Sequence, residues 1–210
     1  MPMAVVGTGL KDASAAAVKG SGKLRVHIQG NIHAGEVEGK EALQMMLRDL
    51  AFSNRPNALD SVVLIAVPNY NADGNENLMP QVRARGSQNG PEMVGTRANA
   101  QNLNLNRDYM KADTPETRAW LALWNKWKPD FFIDCHVTDG ADFQYNVTYE
   151  YAHHAEVSPF IKNWMDEHFD RRIVPQVEKE GNLLTHYVQF AGREVSRGVE
   201  TFIATPRFAT

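Results

Sequence analysis

Two histidines and a glutamate in this chain could hold a metal. His33 and Glu36 lie three residues apart in His33-Ala34-Gly35-Glu36, and His136 closes the run Phe131-Phe132-Ile133-Asp134-Cys135-His136. Two imidazoles and one carboxylate form a nitrogen and oxygen donor set suited to one zinc ion. Three protein ligands leave a fourth position open for water or substrate. A structural zinc site would usually take four protein ligands, often cysteines, and the chain has one Cys. The set therefore points to an open, hydrolytic site.

A lone His-x-x-Glu is a weak signal. Its placement strengthens it. Leu24-Arg25-Val26-His27-Ile28-Gln29 reads as a short buried strand ended by Gly30-Asn31. His33 and Glu36 follow at once, and Glu36 opens a helical pattern through Ala42, Leu43, Met46, Leu47 and Leu50. His136 likewise follows an apolar strand. In an open α/β sheet, ligands gather beyond the carboxyl ends of the strands, so parallel strands would bring His33, Glu36 and His136 to one edge.

Strands are predicted at 3–7, 24–29, 62–67, 130–135 and 143–150, the last antiparallel or at a sheet edge. Helices are predicted at 36–50, 114–127 and 157–170. Lys11 to Gly22 reads as a short helix or a loop, and residues 73–112 as one long polar loop. Alternating strands and helices imply a layered α/β domain with a mostly parallel sheet. Trp120, Trp124 and Trp127 share one helical face and are expected in the core, as is Cys135. Asn69, Asn71 and Asp73-Gly74 are turn formers expected to shape the rim of a cleft. Asp139 is expected in a turn, His153-His154 at the surface, and Asn146-Val147-Thr148 is expected to be a chance sequon.

The flanking residues add a resemblance. His33-x-x-Glu36, Asn71-Ala72-Asp73-Gly74, Arg97-Ala98-Asn99 leading to Asn106-Arg107-Asp108, and the distant His136 occur in an order that resembles the zinc metallocarboxypeptidases, the carboxypeptidase A-like family. The resemblance runs from about Gly30 to about Tyr149, and more loosely to the end. It implies a three-layer α/β/α domain over 1–210 with a mixed, mostly parallel sheet, truncated at both ends. It implies that His33, Glu36 and His136 hold zinc, a ligand set for which carboxypeptidase A is a standard case. It further implies that Arg97 stabilises an oxyanion, and that Asn106 and Arg107 hold the free carboxylate of a peptide's last residue. A guanidinium fork suits the second task, and a positive charge near the metal suits the first.

Two departures stand out. The family commonly has an Asp two residues before the Asn-Arg pair, bonded to the first zinc histidine; here that position is Asn104. The family's general base is a Glu on a late strand with a Tyr before it. Glu200, in Gly198-Val199-Glu200-Thr201-Phe202-Ile203, is the candidate base, and Tyr187 is the last Tyr. Without a base the chain would be a poor peptidase.

Composition bounds the rest. The chain has 210 residues, 43% of them hydrophobic, enough for one domain with a sizeable core. A net charge of -3 without a basic block argues against nucleic acid and anionic membranes as partners. No segment reads as a bilayer span or, within Met1 to Leu10, as a signal peptide. Cys135 alone excludes an internal disulfide and leaves the compartment open. A truncated sheet would expose an edge that invites oligomers.

The leading expectation is a zinc-dependent carboxypeptidase acting on peptides with a free C-terminus. The alternatives are a zinc-dependent deacylase of N-acyl amino acids, like the succinylglutamate desuccinylase and aspartoacylase group, and a catalytically silent fragment that binds zinc or peptide.

Overall fold

The computed structural model describes residues 1–52, 57–85, 90–138, 144–151, 157–187, 189–190 and 202–203. Met1–Val137 and Thr138–Thr210 form two compact units.

In the first unit, β1 (Ala4–Val6), β2 (Leu24–Gln29), β3 (Val62–Val67) and β6 (Phe131–Asp134) form one sheet in the order β1-β3-β2-β6. β2 runs parallel to both β3 and β6, and β1 is antiparallel to β3. The sheet is therefore mixed and mostly parallel. Alternation along β3 defines its two faces. Val63, Ile65 and Val67 pack with Val18 of α1 (Ala15–Gly20) and with Trp120, Leu123 and Trp127 of α5 (Pro115–Trp127). Leu64 and Ala66 pack with Leu43, Met46, Leu47 and Leu50 of α2 (Val37–Phe52). Helices on both faces explain why β3 is apolar at every position. The tryptophans take the core role expected of them: the Trp120 ring lies 5.0 Å from Trp124 and 5.7 Å from Phe132.

The helices start where their caps dictate. Ser14 accepts the Ala17 N–H at α1, and Thr114 accepts the Thr117 N–H at α5, with Pro115 in the first turn. Lys11 to Gly22 thus contains a helix rather than only a loop.

Residues 73–112 depart from the expected single loop. They carry most of α3 (Ala72–Glu76), then β4 (Met79–Pro80), α4 (Gln81–Ala84), β5 (Met93–Val94) and a 3₁₀ turn at Leu105–Arg107. β4 and β5 pair antiparallel. Asparagines make the intervening turns. Asn71 accepts the Gly74 N–H (2.9 Å), Asn99 the Gln101 and Leu103 N–H groups (3.0 Å each), and Asn104 the Asn106 N–H (3.0 Å). Such local bonds substitute for a regular ladder.

Asp108 fastens this stretch to α5. Its carboxylate accepts the N–H groups of Asp113 and Thr114 (2.9 Å each) and the Thr114 hydroxyl (2.6 Å). Burial alone would raise its pKa; the bonds from Thr114 and Asp113 outweigh this and lower it to about 2. A depressed carboxylate pKa adds stability that is complete above the unfolded value near 4 and is lost as pH falls towards 2. The shift corresponds to roughly 2 kcal/mol. Asp108→Asn should therefore lower the melting temperature at pH 7, with the gap to wild type closing near pH 2. A pH-independent gap would refute this account.

In the second unit, β7 (Val147–Tyr149) pairs with β8 (Leu184–His186). The pairing is parallel, which corrects the antiparallel option. α6 (Pro159–Met165) runs through a π-helical stretch, Asp166–Ile173, into α7 (Val174–Lys179). Asp166 and Asp170 of that stretch accept the Tyr151 hydroxyl, and Asp170 also accepts that of Tyr149. β9 (Gln189–Phe190) and β10 (Phe202–Ile203) form an antiparallel pair. No helix among the described residues is long and apolar enough to cross a membrane.

Candidate active site

The site lies at the carboxyl ends of β2 and β6, which run side by side with Gln29 opposite Asp134. Just past β2, Asn31 adopts a left-handed conformation (φ 65°). Its side chain bonds to Asn69 (2.8 Å) and Asn75 (3.1 Å). The chain then turns back, and the Glu36 N–H reaches the His33 carbonyl at 2.8 Å. Gly35 at this turn has no room for a side chain, since a Cβ there would come within 2.7 Å of Arg85 Cδ. Gly39, near the start of α2, lies against the residue just past β6, where a Cβ would meet that of Cys135 at 2.2 Å. Cys135 is packed at this contact, and burial pushes its thiol pKa up to about 11.

These constraints aim three donors at one point. His33 Nδ1 lies 2.9 Å from Glu36 Oε1, and His136 Nδ1 lies 3.0 Å from Glu36 Oε2. One donor atom from each of the three residues lies within 4.8 Å of the others. Donors around one zinc ion, each roughly 2.0–2.2 Å from it, fall within such a spread. The opposite ring nitrogens are occupied too: His33 Nε2 faces Asn104 Oδ1 at 3.3 Å, and His136 Nε2 faces Asp134 Oδ2 at 3.1 Å. The nitrogen and oxygen donors, their spacing and their supporting partners fit zinc.

His33 and Glu36 are almost wholly buried. Burial lowers the His33 pKa, against the opposing pull of Glu36. Burial would raise that of Glu36, but bonds from His136 and His33 hold it well below the ordinary carboxylate range. Burial also disfavours charge on His136; Asp134 and then Glu36 reverse this and raise its pKa to about 10.

Arg97 stands beside this set. Its Nη1 lies 3.5 Å from Glu36 Oε1, and the side chain is 42% exposed, so a bound ligand can reach it. The buried Asn71 side chain ties the two loops together, reaching the carbonyls of Ile32 (3.4 Å) and Arg97 (3.3 Å). Asn106 joins through its N–H on Asn104, the residue that supports His33. The Arg107 guanidinium is exposed and bonds the Asn106 carbonyl at 2.7 Å. Glu200, Asp139, His153 and His154 lie outside the described residues.

A family model described as zinc carboxypeptidase matches residues 4–187. This chain belongs to the zinc carboxypeptidase family. Among relatives of this chain, carboxypeptidase 2 of Trichophyton rubrum is 27% identical over 172 residues. That match covers 77% of the chain but 29% of the relative, so the chain spans under a third of that relative's length. Two solved structures share the fold. A metallo-carboxypeptidase from Burkholderia cenocepacia superimposes with a TM-score of 0.57 at 20% identity, covering 88% of this chain and 44% of that one. A metallo-carboxypeptidase from Pseudomonas aeruginosa in complex with (2-guanidinoethylmercapto)succinic acid gives 0.59 at 16% identity, covering 91% and 43%.

Two residues of the candidate site are not signalled by motif or spacing in the same way. Arg85 is buried and donates from Nη1 to the Gly35 carbonyl, bracing the loop between His33 and Glu36. Its polar stretch carries no sign of burial. Asp134 did leave a sign: it is an acid within an apolar strand, two positions before a histidine and so on the same face.

Proposed function

We propose that this chain is a zinc-dependent metallocarboxypeptidase that hydrolyses the C-terminal peptide bond of peptides. The observation that carries this reading is the convergence of His33, Glu36 and His136 on one point, with Arg97 beside Glu36. Family membership supports a peptidase over an N-acyl amino acid deacylase or a silent binding fragment.

When bound, zinc polarises the scissile carbonyl and acidifies the attacking water. The remaining chemistry belongs to side chains. Arg97 places a positive charge where the carbonyl oxygen becomes negative. Arg107 and Asn106 hold the terminal carboxylate, Arg107 by turning its guanidinium from the Asn106 carbonyl onto the substrate. The succinic acid derivative bound to the Pseudomonas protein also carries carboxyl groups, which suits a site built for them. Glu200 is the candidate for the proton shuttle, two residues before the β10 strand Phe202–Ile203.

The test is release of the C-terminal residue by the zinc-loaded chain. A peptide with a free C-terminus, its amidated twin and a panel of N-acyl amino acids serve as substrates. Turnover of the free peptide is expected, with little on the other two. Arg107→Ala should raise KM for the free peptide about 10- to 100-fold, as loss of a charge-assisted pair would, and leave the amidated one unchanged. Preferential hydrolysis of N-acyl amino acids would move the chain to the deacylase reading. Equal losses on both peptides would remove the terminal-carboxylate role of Arg107.

A further inference from the structure

His33 and His136 face Glu36 in the same way, yet their second nitrogens meet different partners. Asn104 Oδ1, on His33, is the oxygen of a neutral amide, and its orientation is fixed because it also accepts the Asn106 N–H. Asp134, on His136, is an acid whose side chain has no exposed surface.

Every neighbour of Asp134 in this cluster donates to it. Gln29 Nε2 donates to Oδ1 at 3.0 Å, and the Tyr109 hydroxyl and His136 Nε2 reach Oδ2 at 3.4 and 3.1 Å. Gln29 spends its other N–H on the Tyr109 oxygen at 2.7 Å, which directs the Tyr109 proton to Asp134. Such a cage suits a carboxylate, which only accepts. It also fixes the His136 tautomer. When His136 gives up its Nδ1 proton to take a ligand, the proton that stays on Nε2 faces Asp134 and the lone pair is on Nδ1, the atom that faces Glu36. A negative partner makes that lone pair more basic, whereas a neutral amide does not.

We infer that Asp134, held by Gln29 and Tyr109, is the positioning residue of the metal centre: it sets the tautomer and donor strength of His136, and the charged support of the site lies on this histidine rather than on His33. The inference rests on the reading of His33, Glu36 and His136 as metal ligands. The strand geometry supports it. Gln29 and Asp134 are register partners on adjacent parallel strands, so the support is part of the sheet and not of a loop.

The test is zinc affinity of the full chain, measured by competition with a chromophoric chelator, with thermal melts of each metal-free variant alongside. Wild type that binds no zinc would end the metal-site reading itself. Given binding, Asp134→Asn should weaken it about 10- to 100-fold, as loss of such a partner typically does. Asn104→Asp, which puts a carboxylate on His33, should tighten binding and recover part of the loss in the double variant. A purely structural role for Asp134 would not be relieved by a charge on the other histidine. Asp134→Asn affinity within threefold of wild type would overturn the inference, as would a double variant no better than Asp134→Asn. If Asp134→Asn shows no cooperative melt, Asn104→Asp alone decides, and failure to tighten zinc would overturn the claim that partner charge sets ligand strength here.

Discussion

Glu36→Ala is expected to leave the chain unable to retain zinc through gel filtration and to abolish C-terminal release. Glu36 contributes both carboxylate oxygens to the cluster, one beside each histidine, and Oε2 also accepts the Val137 N–H at 3.2 Å. Its loss removes one of three donors and leaves the buried His33 and the partly buried His136 without their common partner. The effect on affinity should exceed the roughly 10- to 100-fold cost of losing a residue that merely supports a ligand. His136→Ala should behave alike, and chelation of the wild type should reproduce the loss of activity, reversed by added zinc. Elemental analysis of the purified variants reads the result directly. One zinc per chain in both variants would remove these residues from the metal site.

Arg97→Ala should produce the second large effect, through rate rather than metal content. Removing one donor to a developing oxyanion costs on the order of 100- to 1,000-fold in kcat, about 2.7–4 kcal/mol. Stabilisation confined to the transition state lowers kcat and kcat/KM together and leaves KM nearly unchanged. Bound zinc should stay at the wild-type level, because Arg97 touches Glu36 only at 3.5 Å and from a half-exposed position. Loss of zinc together with activity would instead make Arg97 a brace for Glu36. Unchanged kcat would exclude it from the chemistry.

The legible parts of the fold were those written in apolar residues. β3 falls at its predicted bounds, and α2 and α5 within a residue or two of theirs, because each buries a continuous apolar run or a helical stripe; β2 also falls at its bounds, although its fully buried positions are His27 and Gln29. The His33, Glu36 and His136 set was legible for the same reason, as the three residues stand just past the ends of such strands. The region from Ala72 to Arg107 was not. Its structure is written in asparagine and aspartate bonds to nearby backbone, which have no period in the sequence. Arg85 was lost in that stretch. Asp134 is obscure for a different reason: a single acid inside an apolar strand has no visible partner until the register with Gln29 is known. The antiparallel option for 143–150 was open because strand direction is set by the partner, and β8 lies some 35 residues on.

The pairing of Gln29 with Asp134 also orders events in time. Glu36 and His136 are 100 positions apart and meet only once β6 has docked beside β2. Closing so long a stretch of chain carries an entropic cost that local helices do not, so β6 is expected to join the sheet late in folding. The donor set is incomplete before that moment. A zinc ion that binds only the docked form favours it by mass action and slows its release. The metal that serves hydrolysis would thereby act as a latch on the last strand of its own sheet, and an apo chain would open first at β6.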